Sequence, residues 1–450
     1  MDCAENMRMN RRDLLRVASG VAAGAVWARG GWADGLPAIT RPRATSGDSA
    51  VEPDWAERLT VTVGPKDADL VGDTEKPIQA ALDYVARLGT GTVHVLPGTY
   101  RMRNSLFLRA NVRLLGSGQE TVLIKQPSIE TTLAEDSDWY DQEVTLVDAD
   151  GFDVGDGVVL RTENVHHGGL DVLRRTLVAR TGNRFKLDRA LRENFWTLKA
   201  PTISTLFPML TAEETDDLAV ESLVLDGNRS HNGHIDGNYA GAIWFQDCSR
   251  IVLRGLTMRN YNGDGASWQV CHDVLVEDCH SHDNADLGLH PGSGSQRPII
   301  RRNVLERNDI GLFFCWGVKY GLAEENVVRD NASYGISIGH RDNENVIRGN
   351  EVCRNGRAGV VFRPERGKGF AAWGNLLEAN RIVDNGADDG VGIDIQGTTE
   401  SVVLERNEVR ETRGPASRVG VRLGPESRDV RMVDNQIDGF ARPVEDLRTE

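Results

Sequence analysis

Aromatic side chains are scarce in this chain of 450 residues, at 6%, while glycine is plentiful, at 48 residues. That balance disfavours a helical bundle and favours many tight turns joining short elements. Positive charge is also in deficit: 52 Lys and Arg stand against 67 Asp and Glu, a net charge of −15. Phosphate recognition needs a basic field, so nucleic acid is excluded as a partner. The acidity reads either as a solubility device or as carboxylate-rich cation sites. Six cysteines are present, and Cys3 lies ahead of an export-like segment. The remaining five are an odd number, so no complete disulfide framework follows. Neither a CxxC pair nor a Cys/His cluster at zinc spacing occurs. What the chain has in quantity is apolar residues, 40% of the total, enough for one long domain or two ordinary ones.

No apolar run is long enough for a permanent membrane span. The greasiest stretch, Val17 to Trp27, is short and rich in Gly and Ala. It follows Asn10-Arg11-Arg12-Asp13-Leu14-Leu15-Arg16 and precedes small residues at Ala28 and Ala33. A charged start, a short apolar middle and a small-residue exit describe an export signal over residues 1–33. The paired arginines resemble a twin-arginine signal, which implies export of a folded protein to the periplasm or beyond. Residues 34–58, rich in Pro, Ser and Thr, read as a linker ahead of a domain spanning 59–450.

A repeat dominates the second half. Segments ending in asparagine recur at Asn303, Asn326, Asn350, Asn380, Asn407 and Asn435, and a second asparagine follows five residues later at Asn308, Asn331, Asn355 and Asn385. Shortly after come Gly311-Leu312-Phe313-Phe314, Gly335-Ile336-Ser337-Ile338 and Gly359-Val360-Val361-Phe362. Cys279 and Leu256 occupy the first asparagine position in two upstream copies. A fixed period in the twenties is the mark of a solenoid. Each copy holds three short alternating pieces, none long enough for a helix, so each coil turns three corners. Asparagines stacked at one corner would satisfy the backbone groups that the turn leaves unpaired.

Upstream, Gly72-Asp73-Thr74 reads as a helix start, with Ile78, Ala81, Leu82, Val85 and Leu88 on one face. Gly89-Thr90-Gly91-Thr92-Val93-His94-Val95-Leu96-Pro97-Gly98-Thr99-Tyr100 follows. This combination resembles the amino-terminal cap of pectate-lyase-like right-handed parallel β-helix proteins. The resemblance implies an all-β solenoid whose open end is plugged by a helix. It covers about Leu59 to the carboxyl end, apart from 144–191, where the period is lost and a small β insertion is expected. In that family the last strand of each coil and its following turn usually hold the substrate cleft, which implies a polysaccharide or oligosaccharide substrate.

Period-two alternation points one file of residues away from the core: Trp244, Ser267, His290, Phe313, Ser337 and Val361. A parallel file holds Gln246, Gln269, Gly292, Cys315, Gly339 and Arg363. The turns beyond supply His272, Trp316, Lys319, His340, Arg341, Asp342, Glu365 and Arg366. Histidine is the side chain suited to proton transfer near neutral pH, so His290 and His340 are candidate catalytic residues, supported by the charges of Arg341 and Lys319. A sugar held between the two histidines would be within reach of both. Trp244 and Trp316 offer flat faces to sugar rings, and Gln246, Gln269, Arg363 and Glu365 are the remaining substrate-binding candidates. Arg341 and Arg363 suit a uronate carboxylate; ion pairs with Asp342 and Glu365 are the alternative use. Cys248 and Cys271, at equivalent places in adjacent coils, are either bonded or stacked free thiols.

These residues support a polysaccharide lyase or epimerase acting on a uronate-containing polymer, which needs a base beside the carboxylate and a cation for the resulting anion. A glycoside hydrolase needs two opposed carboxyl groups. Asp264, Asp286, Asp342, Glu365 and Asp394 are candidates, with no pairing favoured. A non-catalytic glycan-binding protein would need only the aromatic platforms. The polygalacturonase aspartate triplet and the pectate-lyase calcium and arginine motifs are missing. No metal ligand is therefore assigned, and Ca2+ stays open as a cofactor without a motif.

Overall fold

The structure, a computed structural model, describes residues 58–448 except 368. Among these residues, thirteen, eleven and eleven strands form three long sheets. Each strand pairs in parallel with the strand one coil further along the chain. The coil Ile299–Arg301, Val304–Glu306, Ile310–Phe313 stacks on Leu322–Glu324, Val327–Arg329, Tyr334–Ile338. One residue of each strand fills the narrow interior, and Ile300, Leu305 and Leu312 are all wholly buried. The chain is thus a right-handed parallel β-helix, as its repeat predicts.

The asparagines explain the corners. Asn303, Asn326, Asn350, Asn380 and Asn407 form a buried file, and each side-chain carbonyl accepts the backbone N–H of the asparagine one coil earlier at 2.9–3.0 Å. Each amide group donates to a strand carbonyl, as Asn350 Nδ2 does to Ala323 O at 3.0 Å. The Cys279 N–H donates in the same way to Asn303 Oδ1 at 2.9 Å, and Leu256 continues the buried file. Asn308, Asn331, Asn355 and Asn385 repeat the arrangement at the next corner. Asn345 and Asn375, which the sequence repeat does not single out, do the same at the remaining corner. The residue just before each asparagine turns the chain with a positive φ, near 55° at Arg302, Arg307 and Arg354. Left-handed backbone is costly for a residue with a Cβ. Each arginine is anchored to a carboxylate one coil earlier, as in Arg302 to Asp278 and Arg354 to Asp330, both 2.8 Å.

Helix α1 (Glu75–Arg87) buries Ile78, Ala81, Leu82 and Val85 against the first strands. Leu88 does not join that face; it closes the helix and is exposed. The inserted sheet has six strands, from Glu130–Thr132 to Thr202–Ser204, so it is wider than the expected 144–191. It is antiparallel, with its own core of Phe152, Leu160, Leu177, Phe185 and Phe195. Cys248 and Cys271 are free, buried thiols. No described helix is long and apolar enough to cross a membrane. The export signal and all but the last residue of the linker lie outside the described residues.

Candidate functional site

Along the third sheet the file pointing away from the core runs Trp244, Ser267, His290, Phe313, Ser337, Val361, Asp394. An open groove floor is expected from alternation, but the file is covered. Ser267 and Ser337 are wholly buried and His290 is only 3% exposed. Arg174 of the inserted sheet stacks on the Trp244 ring at 3.5 Å and is held there by Glu213 at 2.7 Å. Trp244 is therefore no free platform for a sugar. The segment around Gly237 lies on Asp264, so closely that a Cβ there would strike the carboxylate. Further along, Arg363 folds back over the file. It donates to Ser337 Oγ at 2.8 Å and to Phe314 O at 2.9 Å, with its guanidinium 4.3 Å from the Phe313 ring. Alternation tells which side of a strand a residue takes, not what crosses above it.

His290 shows the consequence. Its Nδ1 meets Asp264 Oδ2 at 2.7 Å, while Asp264 Oδ1 accepts the Leu287 N–H at 3.0 Å. The ring packs edge-on against Phe313 at 5.4 Å. Burial favours a neutral pair, pulling the imidazole pKa down and pushing the Asp264 carboxyl up. At the ring the opposing effect wins: the Asp264 hydrogen bond, aided by Cys315, raises His290 to about 10. A buried imidazole that keeps its proton at neutral pH is not a general base facing substrate. His290 is held by Asp264 and Phe313, whereas His340 is held by Trp316, Phe370 and Glu365.

A second cluster lies one turn beyond, with Trp316, Arg341 and Arg366 exposed and His340 itself buried beneath them. Trp316 is 56% exposed and stacks on His340, with ring centroids 4.6 Å apart. Phe370 closes on the His340 ring at 5.3 Å, and Glu365 Oε2 meets His340 Nδ1 at 3.2 Å. Two exposed guanidiniums, Arg341 and Arg366, each lie 4.6 Å from the Phe370 ring. Arg341 also donates from Nε to Gly369 O at 2.9 Å. Asp342 organises this turn from beneath. Wholly buried, it accepts the N–H groups of Gly339 at 2.8 Å, Gly317 at 2.9 Å and Val318 at 3.0 Å. Burial pushes its carboxyl pKa up, against the pull of Arg363 and those three N–H groups.

The remaining candidates scatter. Arg363 is spent on Ser337, Phe314 and Asp342 rather than left free for a substrate carboxylate. Gln269 is buried and bonds Ser267 Oγ at 3.0 Å, whereas Gln246 is exposed and donates to its neighbour Asp247 at 3.1 Å. Lys319 sits at the following corner, paired with Gln296 and Asn343. Among the described residues no hydrogen bond or ion pair joins its side chain to the histidines. No group of three His, Cys, Asp or Glu side chains there could hold a metal ion.

Comparison with known proteins agrees with the coil. Residues 221–363 match the family described as right handed beta helix region. The chain is also similar in sequence to mannuronan C5-epimerases. AlgE5 and AlgE2 of Azotobacter vinelandii are each 24% identical to it over 335 residues, 72% of this chain. The chain spans about a quarter of the length of these curated relatives, 24% in each case. Among solved structures, the AlgE4 A-module of Azotobacter vinelandii aligns with a TM-score of 0.49 and 17% identity, covering 84% of this chain and 96% of that one. PfbA, a surface adhesin of Streptococcus pneumoniae, aligns with the same TM-score of 0.49 at 10% identity, covering 80% and 86%.

Phe370 is the member of this cluster that the repeat does not reveal. It lies in the coil between Asn350 and Asn380, whose period stretches to 30 residues. That lengthening marks an extra loop after the third strand of the coil, and the loop carries Glu365, Arg366 and Phe370.

Proposed function

We propose that this protein acts on an acidic, uronate-containing polysaccharide as an epimerase or lyase, at the face formed by Trp316, His340, Glu365, Arg341, Arg366 and Phe370. The observation that carries this reading is the exposed Trp316 ring stacked on a histidine that a carboxylate orients, with two guanidiniums alongside. The hydrogen at C5 of a uronate is acidic only because its removal delocalises charge into the neighbouring carboxylate. The reaction therefore needs a base beside C5 and a cation at the carboxylate. His340, positioned by Glu365, supplies the first; Arg341 and Arg366 supply the second, with a fork matched to a carboxylate. Trp316 gives the pyranose a flat apolar face. Delivery of a proton from water to the opposite side of C5 is epimerisation. Expulsion of the glycosidic oxygen at C4 is elimination.

The sequence likeness to mannuronan C5-epimerases supports the same reaction class. The twin-arginine-like amino terminus supports a periplasmic or secreted location. A carboxylate-pair hydrolase has less support. Asp264 and Asp342 are buried and engaged, Asp286 is paired with His234 at 2.7 Å, and Asp394 binds Gln396 at 2.7 Å. The test is incubation with a panel of acidic and neutral polysaccharides, following unsaturated ends, reducing ends and uronate configuration together. New configuration or unsaturated ends on acidic polymers alone is the expected result. Reducing ends without either would replace the reading by a hydrolase.

A further inference from the structure

The buried Asp264–His290 pair has no part in that reaction, yet it has the form of a working assembly. Asp264 is anchored by the Leu287 N–H and grips His290 Nδ1 at 2.7 Å, as an orienting carboxylate does. The opposite ring nitrogen, Nε2, is buried and has no hydrogen-bond partner. A buried polar atom without a partner is rare and costly, and points to a ligand or a reacting group. Besides Asp264, the side chain that favours the protonated ring is Cys315.

Register places the thiol there. Leu289 pairs with Leu312, and the Cys315 N–H donates to Pro291 O at 3.0 Å, so Cys315 is diagonal to His290 on the same side of the sheet. Diagonal neighbours are within reach of a long side chain. Both positions beside Cys315 in its own file are glycines. A Cβ on Gly292 would strike the Gln269 amide, and one on Gly339 the Arg363 guanidinium. Cys315 therefore lies in its file between two glycine positions that the Gln269 amide and the Arg363 guanidinium crowd, diagonal to His290. Burial decreases outward, from Asp264 to His290 to the half-buried Cys315. Among the described residues the other four cysteines are all buried.

We propose that Cys315, His290 and Asp264 form a nucleophile, proton carrier and orienting group for acyl transfer, with an acyl ester as substrate. The thiol proton is held on His290 Nε2, and Sγ bonds to the ester carbonyl carbon as the thiolate. The ester C–O bond breaks and the departing alkoxide takes the proton from His290. Water then attacks the thioester, giving its proton by way of His290, and releases the carboxylic acid and the free thiol. This activity uses neither His340 nor Trp316, so it stands or falls apart from the proposed action on uronates.

The test mixes the full chain with p-nitrophenyl acetate, follows release of nitrophenol, and maps the label by peptide mass. The expected result is a burst of one nitrophenol per chain with one acetyl group on Cys315, lost in Cys315→Ser and Cys315→Ala. His290→Gln should slow acylation by roughly 10²–10³-fold. Because His290 is buried and its replacement endangers the fold, the burst is also measured on unaltered protein capped by methyl methanethiosulfonate. Capping should abolish it and dithiothreitol restore it. Acetyl groups on lysines with Cys315 unlabelled, or a burst that survives capping, would overturn the proposal.

Discussion

Trp316 lies almost flat on His340, the two ring planes 23° from parallel and their centroids 4.6 Å apart. One face of the indole is thus spent on positioning the imidazole, and the other is open to solvent. Trp316→Ala should weaken binding of an acidic oligosaccharide by about tenfold, on the order of 1–2 kcal/mol. An exposed ring contributes little to the core, so the melting temperature should change little. Calorimetric titration with matched thermal melts checks both. Loss of the fold in this variant would show that the ring is packing rather than platform.

His340→Gln keeps much of the shape of the side chain and removes its ability to take a proton. Turnover should fall by roughly 10²–10⁴-fold, the usual contribution of a general base. Glu365→Gln leaves the imidazole unoriented and should cost less. Initial rates on an acidic polymer decide this; a His340→Gln variant with full activity would remove the proposed base.

The asparagine files should dominate the energetics of the carboxyl-terminal coils. Asn350 accepts the Asn326 N–H at 2.9 Å and donates to both Ala323 O and Asn380 Oδ1. Asn350→Ala strands a buried N–H and a buried carbonyl, each costing about 1–3 kcal/mol. A loss of about 2–4 kcal/mol in urea unfolding is expected. An exposed control, Glu325→Ala, should change stability far less.

Lys125 gives stability a pH dependence. Its Nζ is buried beneath the root of the inserted sheet, donating to Thr205 O at 3.0 Å and lying 4.4 Å from the Phe207 ring. Burial drives its pKa down to about 7, against the upward pull of Asp156. An unfolded lysine titrates near 10.4 (approximately), so between about pH 7 and about pH 10 the unfolded chain binds the extra proton. Stability must therefore rise with pH across that window. Below it the cost of the buried charge is present in full. Melting temperatures at pH 7 and 9 should rise more for the natural protein than for Lys125→Met; identical slopes would contradict it.

The coil was legible because one physical need, the satisfaction of corner amides, repeats its asparagine at every turn. Asn303, Asn326, Asn350 and Asn380 announce both the period and the burial. The site was legible only in part. Alternation correctly put His290 on the side of the sheet away from the core, yet it carries no information about Arg174, Gly237 or Arg363, which cross that file from distant or looped segments. Trp244 was misjudged for the same reason: its cover comes from the insertion, outside the repeat. Trp316 and His340 are legible as neighbours because they fall at the same turn of successive coils. Phe370 was missed because it belongs to an irregular loop, whose sole trace is the longer spacing of one coil.

The central claim, proton removal at C5 of a uronate by His340, is tested most directly by incubating the protein with an acidic polymer in deuterium oxide and reading C5 by NMR. Deuterium at C5 or unsaturated ends, absent in His340→Gln, is the predicted result. New reducing ends with hydrogen fully retained at C5 would contradict it.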